Sequence, residues 1–107
     1  MDIDQERAIK IAALNDAFRR SSPFNVFMTR GVQELPDTMS LMQAVRDFGR
    51  FTEDNDPYGE HDFGSLDWYG EKVFWKIDYY DQALEYGKDP LDVECKRVLT
   101  VLLASEY

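Results

Sequence analysis

The chain of 107 residues has one cysteine, one histidine, four prolines and six glycines, and each scarcity excludes something. A lone Cys95 cannot close an internal disulfide, and with no second cysteine it cannot complete a zinc site, so neither a disulfide-stapled secreted scaffold nor a zinc finger is expected. No apolar run approaches the roughly 20 residues that span a bilayer, and the charged start MDIDQERAIK is unlike a signal peptide. The expected setting is cytoplasmic, without a membrane. Bases are also scarce, at 12 Lys and Arg against 21 Asp and Glu, for a net charge of −9.

What is present suits one compact domain over residues 1–107. Seven Phe, six Tyr and two Trp within a 44% hydrophobic composition supply the bulky apolar surface needed to offset ordering entropy. The charge is unevenly placed. Residues 1–52 hold seven acids and seven bases, whereas residues 53–107 hold fourteen acids and five bases. Such a surface repels phosphates and anionic lipid heads and attracts basic surfaces, so direct nucleic-acid binding is not expected and a protein partner with a basic surface is.

The periodicities give an element order. Asp2, with Gln5 three positions on, can cap a helix over 3–20 whose Ile11, Leu14 and Phe18 recur at helical spacing. FNVFMTRGV, residues 24–32, alternates Phe24, Val26 and Met28 and predicts a short strand stopped near Gly31. Asp37 or Thr38 can cap a second helix with Leu41, Met42, Val45 and Phe48 on one stripe, ended by Gly49. Residues 52–62, with Pro57 and Gly59 and no apolar period, predict a loop. From Phe63 the period becomes two: Leu66 and Trp68, a turn at Tyr69-Gly70, then Val73, Trp75, Ile77 and Tyr79, which reads as a β-hairpin. After a connection over 81–88, Asp89 and Pro90 introduce Leu91, Cys95, Val98, Leu99, Leu102 and Leu103, a spacing that predicts a last helix. The expected fold is α+β: a small antiparallel sheet, the hairpin plus one further strand over 24–32, packed on one face by about three helices.

The candidate chemistry lies in DNDPYGEHDFG, which crowds Asp54, Asp56, Glu60, His61 and Asp62. These are oxygen ligands suited to a hard cation. Aligned from Asp54 as a calcium loop, Asp56 and Gly59 fit, but Tyr58 takes a ligand position and Ser65 stands where the bidentate glutamate belongs. A solvated turn bonding its own backbone is the competing reading. His61 could act as a general base, yet in a strand its neighbours Glu60 and Asp62 would point to the face opposite its own and are poorly placed to orient it. No nucleophile elbow, phosphate loop or HExxH is present, so no catalytic residue and no cofactor is assigned, and an enzyme is the less expected class. Cys95 reads as a core residue on the last helix. Arg19, Arg20 and Arg30 read as solubilising rather than as an anion site.

The strings FTEDNDPYGEHDFG, FWKIDYYD and RVLTVLLASEY, with NDAFRR and TRGVQELP before them, resemble a bacterial family catalogued as domain of unknown function 3768, over Asn15 to Tyr107. The resemblance implies a small stand-alone protein of bacterial chromosomes, plasmids and prophages, and carries over no activity, cofactor or site residue. Members of that family tend to have Asp-Gly at the hairpin turn, so Tyr69 departs from the pattern. Charge and resemblance together place first an acidic protein-interaction module, a mobile-element inhibitor of the anti-CRISPR or anti-restriction type that occupies the basic groove of a nucleic-acid enzyme or CRISPR effector. Its expected contacts are Glu53, Asp54, Asp56, Tyr58, Glu60, Asp62, Asp67 and Tyr86, on a monomer or weak dimer. An accessory bridging domain comes second, and a metal-dependent enzyme built on Asp54, Asp56, Glu60, His61 and Asp62 third.

Overall fold

The computed structural model describes all of residues 1–107. Helix α1 spans Ile3–Ser21 and opens with a reciprocal cap: Gln5 N donates to Asp2 Oδ1 at 2.7 Å and Asp2 N donates to Gln5 Oε1 at 3.0 Å. Two orphan donors of the first turn are thereby satisfied. Its buried face is Ile11, Ala12, Asn15 and Arg19, while Leu14, expected on the apolar stripe, is left exposed. Two polar residues at i and i+4 have displaced it, for reasons that the site below makes plain.

Strand β1 is only Val26–Met28. Thr29 ends it, its hydroxyl accepting from Val32 N to cap the single-turn helix α2, Arg30–Gln33. The expected strand over 24–32 is therefore cut short by a capping threonine. Helix α3, Thr38–Arg46, begins at Asp37, whose left-handed φ of 54° aims its carboxylate at Ser40 N. It buries Leu41 and Val45 and ends at the Asp47 cap, two residues before Gly49.

Strands β2 (Phe63–Trp68) and β3 (Glu71–Tyr80) form the expected hairpin. Tyr69 and Gly70 both take positive φ, 48° and 84°, the pair of left-handed positions that matches the twist of a two-residue turn. Tyrosine tolerates that region poorly, and asparagine tolerates it well. Tyr69→Asn is expected to stabilise the protein by about 0.5–1 kcal/mol, despite loss of the edge contact with Trp68 at 5.6 Å. A urea midpoint that is unchanged or lower would refute this.

The predicted last helix is overturned. Residues Lys96–Leu103 form β4, the strand between β1 and β3. The apolar spacing from Leu91 to Leu103 fits a helical stripe, but Val98-Leu99-Thr100-Val101-Leu102-Leu103 is also a nearly continuous apolar run with β-branched Val98, Thr100 and Val101, and such a run reads equally as a strand flanked by partners on both sides. Pairing decides: β4 aligns antiparallel with β3 through Ile77↔Leu99 and Trp75↔Val101, and parallel with β1 through Val26↔Leu99. Asp89 caps no helix. Its carboxylate accepts from Leu91 N at 2.8 Å in a local turn, as Asp92 does from Glu94 N. Cys95 accordingly precedes β4, half-buried, where burial pushes its thiol above the ordinary range.

The sheet thus has four strands in the order β1-β4-β3-β2, mixed rather than purely antiparallel, and β1 joins β4 rather than the hairpin's own edge. The core cluster sits between α2 and α3 and one sheet face: Val32, Leu41 and Val45 against Val73, Trp75, Ile77, Leu99 and Val101. Gly64 lies flat on Trp75, and a Cβ there would come within 2.5 Å of Trp75 Cε2.

Candidate functional site

Between α3 and β2 the chain makes the long loop predicted for residues 52–62. Its first half holds itself: Asn55 Oδ1 accepts from Thr52 N at 2.8 Å, Asn55 N donates to Thr52 Oγ1 and Asn55 Nδ2 donates to Arg50 O at 2.7 Å. The second half turns inward. His61 has a left-handed φ of 56° and its backbone N donates to Asp56 Oδ1 at 3.3 Å. A non-glycine residue in that region is held there by its surroundings.

Those surroundings come from α1. His61 Nδ1 lies 3.0 Å from both carboxylate oxygens of Asp16, and since an ionised carboxylate only accepts, Nδ1 carries the proton. The ring stacks on Phe51 at 3.8 Å between centroids and 4° between planes. Asp16 Oδ1 in turn accepts from Arg19 Nη1 at 3.0 Å. Arg19 is completely buried; its Nε donates to Val45 O and its Nη2 to Phe48 O, closing the end of α3, and its guanidinium sits 4.8 Å from the Trp75 ring centre. Burial lowers its pKa from the ordinary value, and the bond to Asp16 opposes that shift.

One turn earlier, Asn15 is equally buried and joins four segments. Its Nδ2 donates to Glu60 O and to Tyr79 Oη, both at 2.9 Å, and its Oδ1 accepts from Arg97 Nε at 2.7 Å. Burial pushes the Tyr79 phenol up to about 12. Burial also raises Asp62, with further raising from Asp56 and Asp78, and raises Glu60, with Asp62 adding to it. Glu60 and Asp62 are thus the acids on the inner side of this loop.

On its outer side the loop and the start of α1 border an open cleft of about 1000 Å³, lined by Met1, Asp2, Asp4, Gln5, Ala8, Ile9, Phe51, Thr52, Glu53, Asp56, Pro57, Tyr58, Gly59 and His61. Of the residues expected to make contacts, Glu53, Asp56 and Tyr58 meet here, with Tyr58 81% exposed. Asp54 is exposed on the same loop, Glu60 and Asp62 are half-buried against Asn15 and Tyr79, Asp67 is exposed on β2, and Tyr86 is exposed on the connection before β4. They do not form one cluster. Nor do three or more of Asp54, Asp56, Glu60, His61 and Asp62 converge where they could share a metal ion.

The sequence reading missed Asp16, Asn15 and Phe51 as partners of the loop, and read Arg19 as solubilising. Arg20 and Arg30 are indeed exposed, but Arg19 is a structural cation. The available signal was the register: Asn15 and Arg19 follow Ile11 at i+4 and i+8, on the face that a helix buries.

A family profile described as "Protein of unknown function (DUF3768)" matches residues 28–106, leaving α1 and its NDAFRR string outside the match. No curated protein and no solved structure matches the chain. No helix is long and apolar enough to cross a membrane.

Proposed function

The chain belongs to the DUF3768 family, a membership that assigns no chemistry, and we propose from its geometry that it is an acidic protein-interaction module that holds a basic surface of a partner protein. The observation that carries this reading is the lining of the cleft: Asp2, Asp4, Glu53 and Asp56 border it, and no Lys or Arg does. A concave wall of one charge sign focuses field and raises the local concentration of the opposite charge. The C-terminal half carries the whole net charge of the chain, so long-range steering favours a cationic partner. Basic grooves that otherwise hold nucleic acid are the most strongly cationic protein surfaces, and occupying one with carboxylates excludes the nucleic acid. An inhibitor of a nucleic-acid enzyme, including one of the anti-CRISPR or anti-restriction type, is the specific form of this reading.

The test is affinity capture from a cell lysate at low and at moderate salt, beside a variant carrying Asp4→Lys, Glu53→Lys and Asp54→Lys. All three side chains are exposed and none makes a hydrogen bond, so the fold is expected to survive. The expected result is capture of a protein with a basic groove that added duplex DNA displaces, that weakens with salt and that the variant loses. Equal capture by the variant would sink the reading.

A further inference from the structure

Strand β2 lies at one edge of the sheet, and its pairing with β3 fixes which of its backbone groups are left over. Ile77 N donates to Asp62 O at 2.8 Å, so these two residues form a hydrogen-bonded pair. The alternation then runs through Gly64↔Trp75, Leu66↔Val73 and Trp68↔Glu71. The N–H and C=O groups of Phe63, Ser65 and Asp67 therefore point away from β3, and no other backbone group bonds them. Such an open ladder is a template for one more strand. A groove of about 590 Å³ runs beside it, bordered by Ala44, Phe48 and Arg50 from the end of α3 and by Leu66 and Trp68 of β2. The opposite edge, β1, offers only three residues.

The strand that fits this edge is β2 of a second copy. A two-fold axis sets two copies of one strand antiparallel, and the outward residues of each must then face the outward residues of the other. Centring the axis on Ser65 meets that rule over the whole strand: Ser65 faces Ser65, and Phe63 faces Asp67 on both sides of the axis. Centring it on Asp67 instead sets two carboxylates directly opposite each other, which is destabilising. Charge thus selects the longer register. Arg50 supports it, being exposed and without an ion pair in its own chain. In that register the second copy brings Asp67 opposite Phe63 and Asp62 opposite Trp68, so a carboxylate arrives at either end of the groove that Arg50 borders. We propose that β2 is a self-association edge, and that two copies pair there about an axis at Ser65 to join their sheets into one. The acidic cleft lies outside this interface, so the proposal stands apart from the module reading.

The experiment is sedimentation of the full chain over a range of concentrations, at low and at moderate salt, with amide hydrogen exchange on the same samples. The expected result is a monomer that becomes a dimer as concentration rises. Added salt is expected to tighten the dimer, because each copy carries a net charge of −9 and screening reduces their repulsion. Capture of a basic partner weakens under the same change, so the two readings fail separately. Exchange at the Ser65 and Asp67 amides is expected to slow with concentration while exchange in β1 stays constant. Ser65→Pro removes the outward donor at the axis and spares the ladder to β3, a place where an edge strand tolerates proline; it is expected to stay monomeric. Should that variant fail to fold by circular dichroism, Ser65→Lys, which sets two ammonium groups across the axis, replaces it with the same expectation. Arg50→Glu is expected to weaken the dimer about fivefold, the scale of two exposed ion pairs. A wild-type chain that stays monomeric at every concentration, a dimer without slowed exchange at Ser65 and Asp67, or a dimer that all these variants leave intact overturns the proposal.

Discussion

Replacing Arg19 by Met is expected to destabilise the protein by about 3–5 kcal/mol, a large part of the roughly 5–15 kcal/mol that holds a domain folded. Three acceptors lose the guanidinium as a donor at once: Val45 O and Phe48 O at the end of α3, and Asp16 Oδ1 beneath His61. Methionine fills part of the volume over Trp75 but donates nothing, so Phe48 O loses its side-chain donor and Val45 O keeps only the bond from Phe48 N. Arg19→Lys is expected to recover less than half of the loss, because an ammonium cannot reach three acceptors in different directions from one plane. Urea unfolding followed by circular dichroism measures both, and a midpoint for Arg19→Met within error of wild type would refute the structural role. The variant also bears on the cleft, since Asp16 without Arg19 is a looser anchor for His61.

Gly64→Ala is expected to cost about 1–3 kcal/mol or more, a large penalty for one methyl group. The added Cβ meets the Trp75 ring at 2.5 Å from Cε2 and 2.7 Å from Cζ2. That ring cannot retreat: it is completely buried, with Phe48 at 5.4 Å, Phe51 at 6.1 Å and the Arg19 guanidinium on its face. Either β2 lifts from β3 or the tryptophan leaves its rotamer. The cause is checked by a double-mutant cycle with Trp75→Phe, which removes the atoms that clash. Trp75 Nε1 is the one buried side-chain polar atom without a hydrogen-bond partner, so the phenylalanine forfeits no hydrogen bond. Gly64→Ala with Trp75→Phe is expected to be more stable than Gly64→Ala alone. Additive losses would assign the penalty to backbone entropy or twist instead.

The parts of this fold legible in the sequence are those fixed by local chemistry. The Asp2–Gln5 cap, the Tyr69-Gly70 turn and the alternation of Val73, Trp75 and Ile77 are each decided by residues a few positions apart. β4 was misread because its local signals conflict: Asp89-Pro90 is a good helix opening and Leu91 to Leu103 a good helical stripe, and only the distant partners β1 and β3 settle the matter. The site divides in the same way. The acidic loop stands out as a string, but His61 finds its orienting carboxylate 45 positions away on α1, and nothing near His61 announces Asp16. Arg19 was misjudged for a related reason, since an arginine beside Arg20 looks like a solvated pair until the helix is seen to bury one and expose the other.

The strand order has a consequence for synthesis. β4 lies in the middle of the sheet yet is the last of the four strands in the chain, and its pairing with β1 joins Val26 to Leu99. As the chain emerges from the ribosome, the β2–β3 hairpin can close early, but a lone hairpin is marginal, and β1 has nothing to pair with until β4 appears. Throughout that interval the nascent chain presents one uncovered edge on β3 and another on β1, together with Val73, Trp75 and Ile77 that later become core. Long-range closure of this kind folds slowly and is prone to aggregation. Production of the protein is therefore expected to depend on chaperone capacity and growth temperature more than its small size suggests.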